Sequence, residues 1–125
     1  MITALVSASS IEVARRVQKD FWVDHIYANE LVIKDGKGSG EFVWPIGSGQ
    51  HKKAEIIREL CKSLEIKTSE TIYIGDSIKD LEAFKEVGLA IAFNTDSDEL
   101  KEAADYLLES EKLSDVIKIF EKENI

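Results

Sequence analysis

Short apolar runs alternate with stretches of helical periodicity along most of this chain, and few architectures accept that order. Thr71-Ile72-Tyr73-Ile74 is one run, ended by Gly75, and Leu89-Ala90-Ile91-Ala92-Phe93 and Tyr106-Leu107-Leu108 are two more. Between and after them the spacing predicts helices over 77–87, 98–104 and 114–122, with Gly88 as a C-terminal helix stop. Strands that alternate with helices at such spacing form βα units on a parallel sheet. The fold class is therefore α/β, and all 125 residues are expected to form one core domain.

The first half follows the same logic with one departure. Ile2 to Val6 reads as a strand, and Ser9 with Glu12 as a capping box, so that a helix runs from Ser10 to about Lys19. Residues 24–44 read as β structure instead. Glu30 to Lys34 and Glu41 to Trp44 are its strands, and Asp35-Gly36 is the turn between them. Pro45, Gly47 and Gly49 mark a loop, and Lys52 to Leu64 is an amphipathic helix with Ile56, Leu60 and Leu64 on one face.

Charge and composition exclude several roles. The formal net charge of −8 repels nucleic acid and anionic membranes, so neither is an expected partner. No apolar run approaches the roughly 20 residues that span a bilayer. Residues 1–6 lack the positive start of a signal peptide, and the expected location is the cytoplasm. The one cysteine, Cys61, lies in a helical stretch and is expected to be a buried thiol.

In a parallel sheet, ligands gather where strands end and helices begin. Three features sit there. Ser7 follows the first strand. Lys53 lies in the first turn of the Lys52–Leu64 helix, where the helix dipole disfavours a cation unless an anion is bound. Gly75-Asp76-Ser77-Ile78-Lys79-Asp80 follows the Thr71–Ile74 run, with Asp76 and Asp80 one helical turn apart. Two carboxylates on one rim suit Mg²⁺, which keeps several waters and takes one or two such ligands. Each feature also has a plain structural reading. Ser7 fits a turn residue, Lys53 a solvated lysine beside Lys52, and Asp80 a cap for the helix that follows Ser77.

Taken in order, these residues resemble motifs II, III and IV of the haloacid dehalogenase (HAD) superfamily, most closely its phosphoserine phosphatase-like members. Leu5-Val6-Ser7 resembles motif II, Lys53 motif III, and Gly75 to Asp80 motif IV. Tyr27 to Lys37 and Gly88 to Phe93 resemble the segments that follow motifs II and IV. The resemblance implies a HAD-like Rossmannoid three-layer sandwich with a mostly parallel sheet. It implies that Ser7 and Lys53 bind the phosphoryl group of a phosphorylated small molecule, and that Asp76 and Asp80 hold Mg²⁺. In the family a motif I aspartate attacks phosphorus, and a second aspartate two residues on is the general acid and base. No such motif is found here, so the central motif I strand is missing from this sequence. The one Asp-x-Asp, Asp96-Ser97-Asp98, is followed by Glu99-Leu100 and fits a helix N-cap instead.

The expectation is a HAD-type phosphatase-like domain that is inactive alone. A partner chain or a second copy would close the gap in the sheet, because open strand edges recruit partners. The alternative is a non-catalytic HAD-like protein that binds phosphate or a partner. A third reading is another doubly wound domain, such as a receiver-like module, with a coincidental aspartate pair. Lys79 stands where phosphoserine phosphatases usually have Asn, and Ala8-Ser9 where they usually have Gly-Gly, so the resemblance names no particular phosphomonoester.

Overall fold

The computed structural model describes residues 1–43, 45–47 and 50–125, with Gln50 described by its backbone only. The expected strand end at Trp44 and the loop position Gly49 lie outside the described residues. The chain divides into two compact units, Met1–Ile56 and Ile57–Ile125.

The first unit is built on a mixed three-stranded sheet. Strand β1 (Ala4–Ser10) leads into helix α1 (Ile11–Phe21), which returns to strand β2 (His25–Lys34) and packs on both strands. β1 and β2 are parallel, with Ala4, Leu5 and Val6 opposite His25, Ile26 and Tyr27. Thr3 locks the start of this ladder. Its amide and hydroxyl donate to Asp24 Oδ2 at 2.8 and 2.9 Å, and its carbonyl accepts from His25 N at 3.0 Å. These donors hold the Asp24 carboxyl below the usual carboxylate range, the backbone one contributing most.

β2 then continues past β1 and pairs antiparallel with β3 (Lys37–Val43). The expected turn at Asp35-Gly36 joins them, with φ of 53° and 72°. Two left-handed residues in succession match the right-handed twist of a hairpin. Both strands are longer than their apolar runs. β3 is exposed throughout, so hydropathy alone left its first residues unread.

β1 is also longer than expected. It runs on through Ser7 to Ser10, although the regular ladder breaks after Val6. The helix cap accordingly shifts by one residue from the expected Ser9. Ser10 is the N-cap of α1 and accepts from Glu12 N at 3.3 Å. At the other end Trp22 is the C-cap with φ 54°, a left-handed conformation that L side chains seldom adopt.

Helix α2 (Gln50–Ser63) starts in the first unit and ends in the second. The second unit is a parallel sheet in the order β4-β5-β6, formed by Ile72–Gly75, Leu89–Phe93 and Tyr106–Leu108. The central strand β5 is apolar on both faces, as a covered parallel strand must be. Ala90 and Ala92 point to Phe84 of α3 (Leu81–Glu86) and Leu100 of α4 (Asp98–Ala103). Ile91 points the other way, to Val116 and to Ile119 of α5 (Ile117–Lys122). Helices thus cover both faces, and the three-layer arrangement that the resemblance implied is found in this unit. Among the described residues β4 pairs on one side only, with β5, and β1 on one side only, with β2.

Two expectations are refined. The helix expected over 77–87 is a 3₁₀ turn (Ile78–Asp80) followed by α3. Gly88 is not a left-handed helix stop, since the C-cap is Val87 in an extended conformation. Gly88 is small for another reason. A Cβ there would stand 1.9 Å from the Ser69 carbonyl oxygen.

Candidate functional site

The loop after β4 is built around Asp80. Gly75 ends the strand, and the chain turns into the 3₁₀ helix so that Asp80, only 2% exposed, folds back beneath the loop. Its Oδ2 accepts from the backbone N–H groups of Asp76 at 3.1 Å and Ser77 at 3.2 Å. Its Oδ1 accepts from the Tyr73 hydroxyl at 2.9 Å. The capping role that the spacing allowed for Asp80 is therefore present.

Tyr73 was read from the sequence only as a strand residue. Its ring stacks edge-on to Phe84, with centroids 5.9 Å apart. Burial, then the negative charge of Asp80, push its hydroxyl pKa far above the ordinary value. It stays a protonated donor to Asp80 at any physiological pH. A tyrosine inside an apolar run needs a partner for its hydroxyl, and that signal was available in the sequence.

Asp76 differs from Asp80 in every respect. It is exposed, and among the described residues its carboxylate has no hydrogen bond or ion pair. Its backbone is held by Asp80 while its side chain stays open. The two carboxylates thus share one loop but not one environment. No group of three or more His, Cys, Asp or Glu residues gathers into a metal cluster among the described residues. A single exposed carboxylate on a fixed loop suits Mg²⁺, which completes its shell with waters and phosphate oxygens.

The first unit carries the other two residues. Ser7 is half-buried at the break in the β1–β2 ladder, and its Oγ accepts from Ser9 N at 3.1 Å. Lys53 lies in the first turns of α2 and is only 8% exposed, unlike a freely solvated lysine. Lys52 is different, since it is exposed and paired with Glu55 at 2.7 Å.

Asp96-Ser97-Asp98 is structural. Ser97 is the N-cap of α4, accepting from Leu100 N at 3.3 Å.

The family model for haloacid dehalogenase-like hydrolases matches residues 9–120. The phosphoserine phosphatase of Methanocaldococcus jannaschii is 31% identical over 117 residues, which are 94% of this chain and 54% of that protein. The phosphoserine phosphatase of Idiomarina loihiensis is 33% identical over 115 residues, 92% of this chain and 51% of that one. A substrate-bound phosphoserine phosphatase structure superposes with a TM-score of 0.86 at 30% identity, covering 94% of this chain and 55% of its own. The chain thus spans about half the length of the relatives it matches. With the family match running from the end of β1 into α5, the chain belongs to the haloacid dehalogenase-like hydrolases and has their α/β fold.

Proposed function

We propose that this chain is the phosphate- and metal-handling part of a HAD-type phosphomonoester hydrolase, with a phosphorylated small molecule as substrate. The observation that carries this reading is the division of labour in the β4 loop. A buried Asp80 with three donors holds the backbone, and an exposed Asp76 is left open. A purely structural cap needs only the first of these.

Each residue then has a task. Asp76 offers a carboxylate oxygen to Mg²⁺, and Asp80 fixes the loop from which it does so. When bound, Mg²⁺ supplies charge neutralisation for phosphate oxygens. Lys53 adds a fixed positive charge for the phosphoryl group. Ser7 adds a hydroxyl donor, whose oxygen also accepts from Ser9 N. Phosphoryl transfer rests largely on such positioning and charge stabilisation. No described helix is long and apolar enough to cross a membrane.

The nucleophile is the task that no residue here fills. The one Asp-x-Asp is spent on capping α4. We therefore infer that the chain alone does not turn over substrate. Hydrolysis needs a strand that carries an Asp-x-Asp motif in the nucleophile's place, which the described residues do not supply. The test is p-nitrophenyl phosphate hydrolysis with and without Mg²⁺, by the chain alone and with a supplied Asp-x-Asp strand peptide. The expected result is no turnover alone, and Mg²⁺-dependent turnover with the peptide that Asp76→Asn abolishes. Turnover by the chain alone would overturn the incomplete-site reading.

A further inference from the structure

Asn29 lies in β2, is 6% exposed, and uses every hydrogen-bonding position of its amide. Its Nδ2 donates to the Ala8 carbonyl at 2.9 Å and to the Gly47 carbonyl at 3.3 Å. Its Oδ1 accepts from Ile46 N at 3.1 Å and Gly47 N at 3.2 Å. An amide has two N–H donors and two acceptor lone pairs, so the group is fully satisfied. The partners are not neighbours in sequence. Ala8 lies 21 residues before Asn29 and Gly47 lies 18 residues after it.

These partners flank the two residues assigned to phosphate. Ala8 sits inside the turn that Ser7 closes by accepting from Ser9 N. Ile46 and Gly47 lie on the approach to α2, whose early turns carry Lys53. The parallel ladder is broken between Val6 and Ser10, so backbone pairing does not hold the Ser7–Ser9 segment in register. The Asn29 amide does so instead. No other side chain of this length offers two donors and two acceptors. Asp lacks the donors, and Gln places them one methylene too far.

We propose that Asn29 is a positioning residue for phosphate binding, one side chain that sets both the Ser7 turn and the approach to the Lys53 helix. This rests on the reading of Ser7 and Lys53 as phosphate ligands. Preorganised donors bind an anion without first being ordered, and loosening them costs affinity even where the fold survives.

The experiment is titration of the chain with inorganic phosphate, followed by amide NMR shifts, for the wild type, Asn29→Asp, Asn29→Leu and Ala28→Gly. Asn29→Asp keeps acceptors for Ile46 N and Gly47 N but removes both donations. Asn29→Leu, run beside it, removes them without the added carboxylate that would itself repel phosphate, so that a loss shared by both reads the freed turn at Ala8. Ala28 is the adjacent buried residue on β2, and Ala28→Gly controls for lost stability alone. Folding of each variant is checked by circular dichroism, and Asn29→Gln replaces Asn29→Asp if the latter does not fold. The expected result is a fall of about ten-fold or more in phosphate affinity for both Asn29→Asp and Asn29→Leu and less than two-fold for Ala28→Gly. Near-equal affinity of either Asn29 variant and wild type overturns the inference while leaving the phosphate reading intact. An equal loss in Ala28→Gly overturns it as well, by making the effect one of stability. A wild type that binds no phosphate overturns the phosphate reading itself, and the role of Asn29 falls with it.

Discussion

The Asp80 carboxylate occupies the space that a side chain on Gly75 would need. A Cβ built at Gly75 would lie 2.7 Å from Asp80 Cβ, Cγ and Oδ2. Asp80 cannot give way cheaply, because it is buried with both carboxylate oxygens engaged. Gly75→Ala is therefore expected to destabilise the second unit by about 1–3 kcal/mol, the usual range for overpacking. Urea denaturation of the two proteins checks this. An unchanged midpoint would mean that the loop tolerates a displaced Asp80.

The two aspartates should separate stability from binding. Asp76→Asn alters an exposed group without a partner among the described residues, so stability should stay within about 0.5 kcal/mol of wild type while Mg²⁺ affinity is lost. Asp80→Ala removes the acceptor for three donors around one buried group and should cost about 2–4 kcal/mol. Thermal denaturation with Mg²⁺ titration on the same samples distinguishes them. Equal destabilisation by both substitutions would remove the distinction drawn between the two carboxylates.

Trp22 marks a local conflict between sequence and backbone. Its φ of 54° is left-handed, yet its side chain is 86% exposed and so has little packing to lose. A left-handed non-glycine residue costs roughly 1–2 kcal/mol. Trp22→Gly relieves this strain but adds freedom to the unfolded chain, so the expected net gain is about 0.5–1 kcal/mol. The midpoint of chemical denaturation reads the sign directly. A loss of stability would show that the Trp22 ring makes contacts that outweigh the strain.

Stability should fall at both ends of the pH scale, for different reasons. Asp24 has a folded pKa below its unfolded value, which is about 3.9. Its contribution is present above that value and lost as pH falls through the folded pKa. Tyr73 has a folded pKa raised above its unfolded value of about 10. Above pH 10 the unfolded chain sheds a proton that the folded chain keeps, so stability falls as pH rises. Denaturation across the pH range should show Asp24→Asn flattening the acid limb and Tyr73→Phe the alkaline limb. Unchanged limbs in these variants would assign the pH dependence to other groups.

What the sequence disclosed depended on how local its causes were. β5 was legible to the residue because its apolar run coincides with burial, and β6 because its three residues form an apolar run of strand formers, although Leu107 is exposed. β1 was cut short at Val6 because Ser7, Ala8, Ser9 and Ser10 carry no hydropathy signal, and their contact with Asn29, through the Ala8 carbonyl and the Ser10 pairing, lies across the sheet. The first turn of the helix after Ser77 came out as 3₁₀ because Asp80 is drawn back toward Asp76 and Ser77, a pull that periodicity does not register. The Asp76–Asp80 loop itself was found from its Gly-Asp-x-x-x-Asp pattern. Asn29 was passed over because its partners come from segments 17 to 21 residues away.

β2 belongs to two ladders in succession. Residues 25–27, and Asn29 beyond the irregularity, serve the parallel pair with β1, and residues 30–34 serve the hairpin with β3. The hairpin arms therefore bear no share of the β1 pairing, and their tip at Asp35-Gly36 is a two-residue turn set by its own dihedral angles. Because side chains alternate with a period of two, adding or deleting two residues on each arm leaves every remaining face unchanged. The arm is in effect a graft point, where a tag, a fluorophore or a longer recognition element can be installed without disturbing the Ser7 turn or the Asn29 clamp.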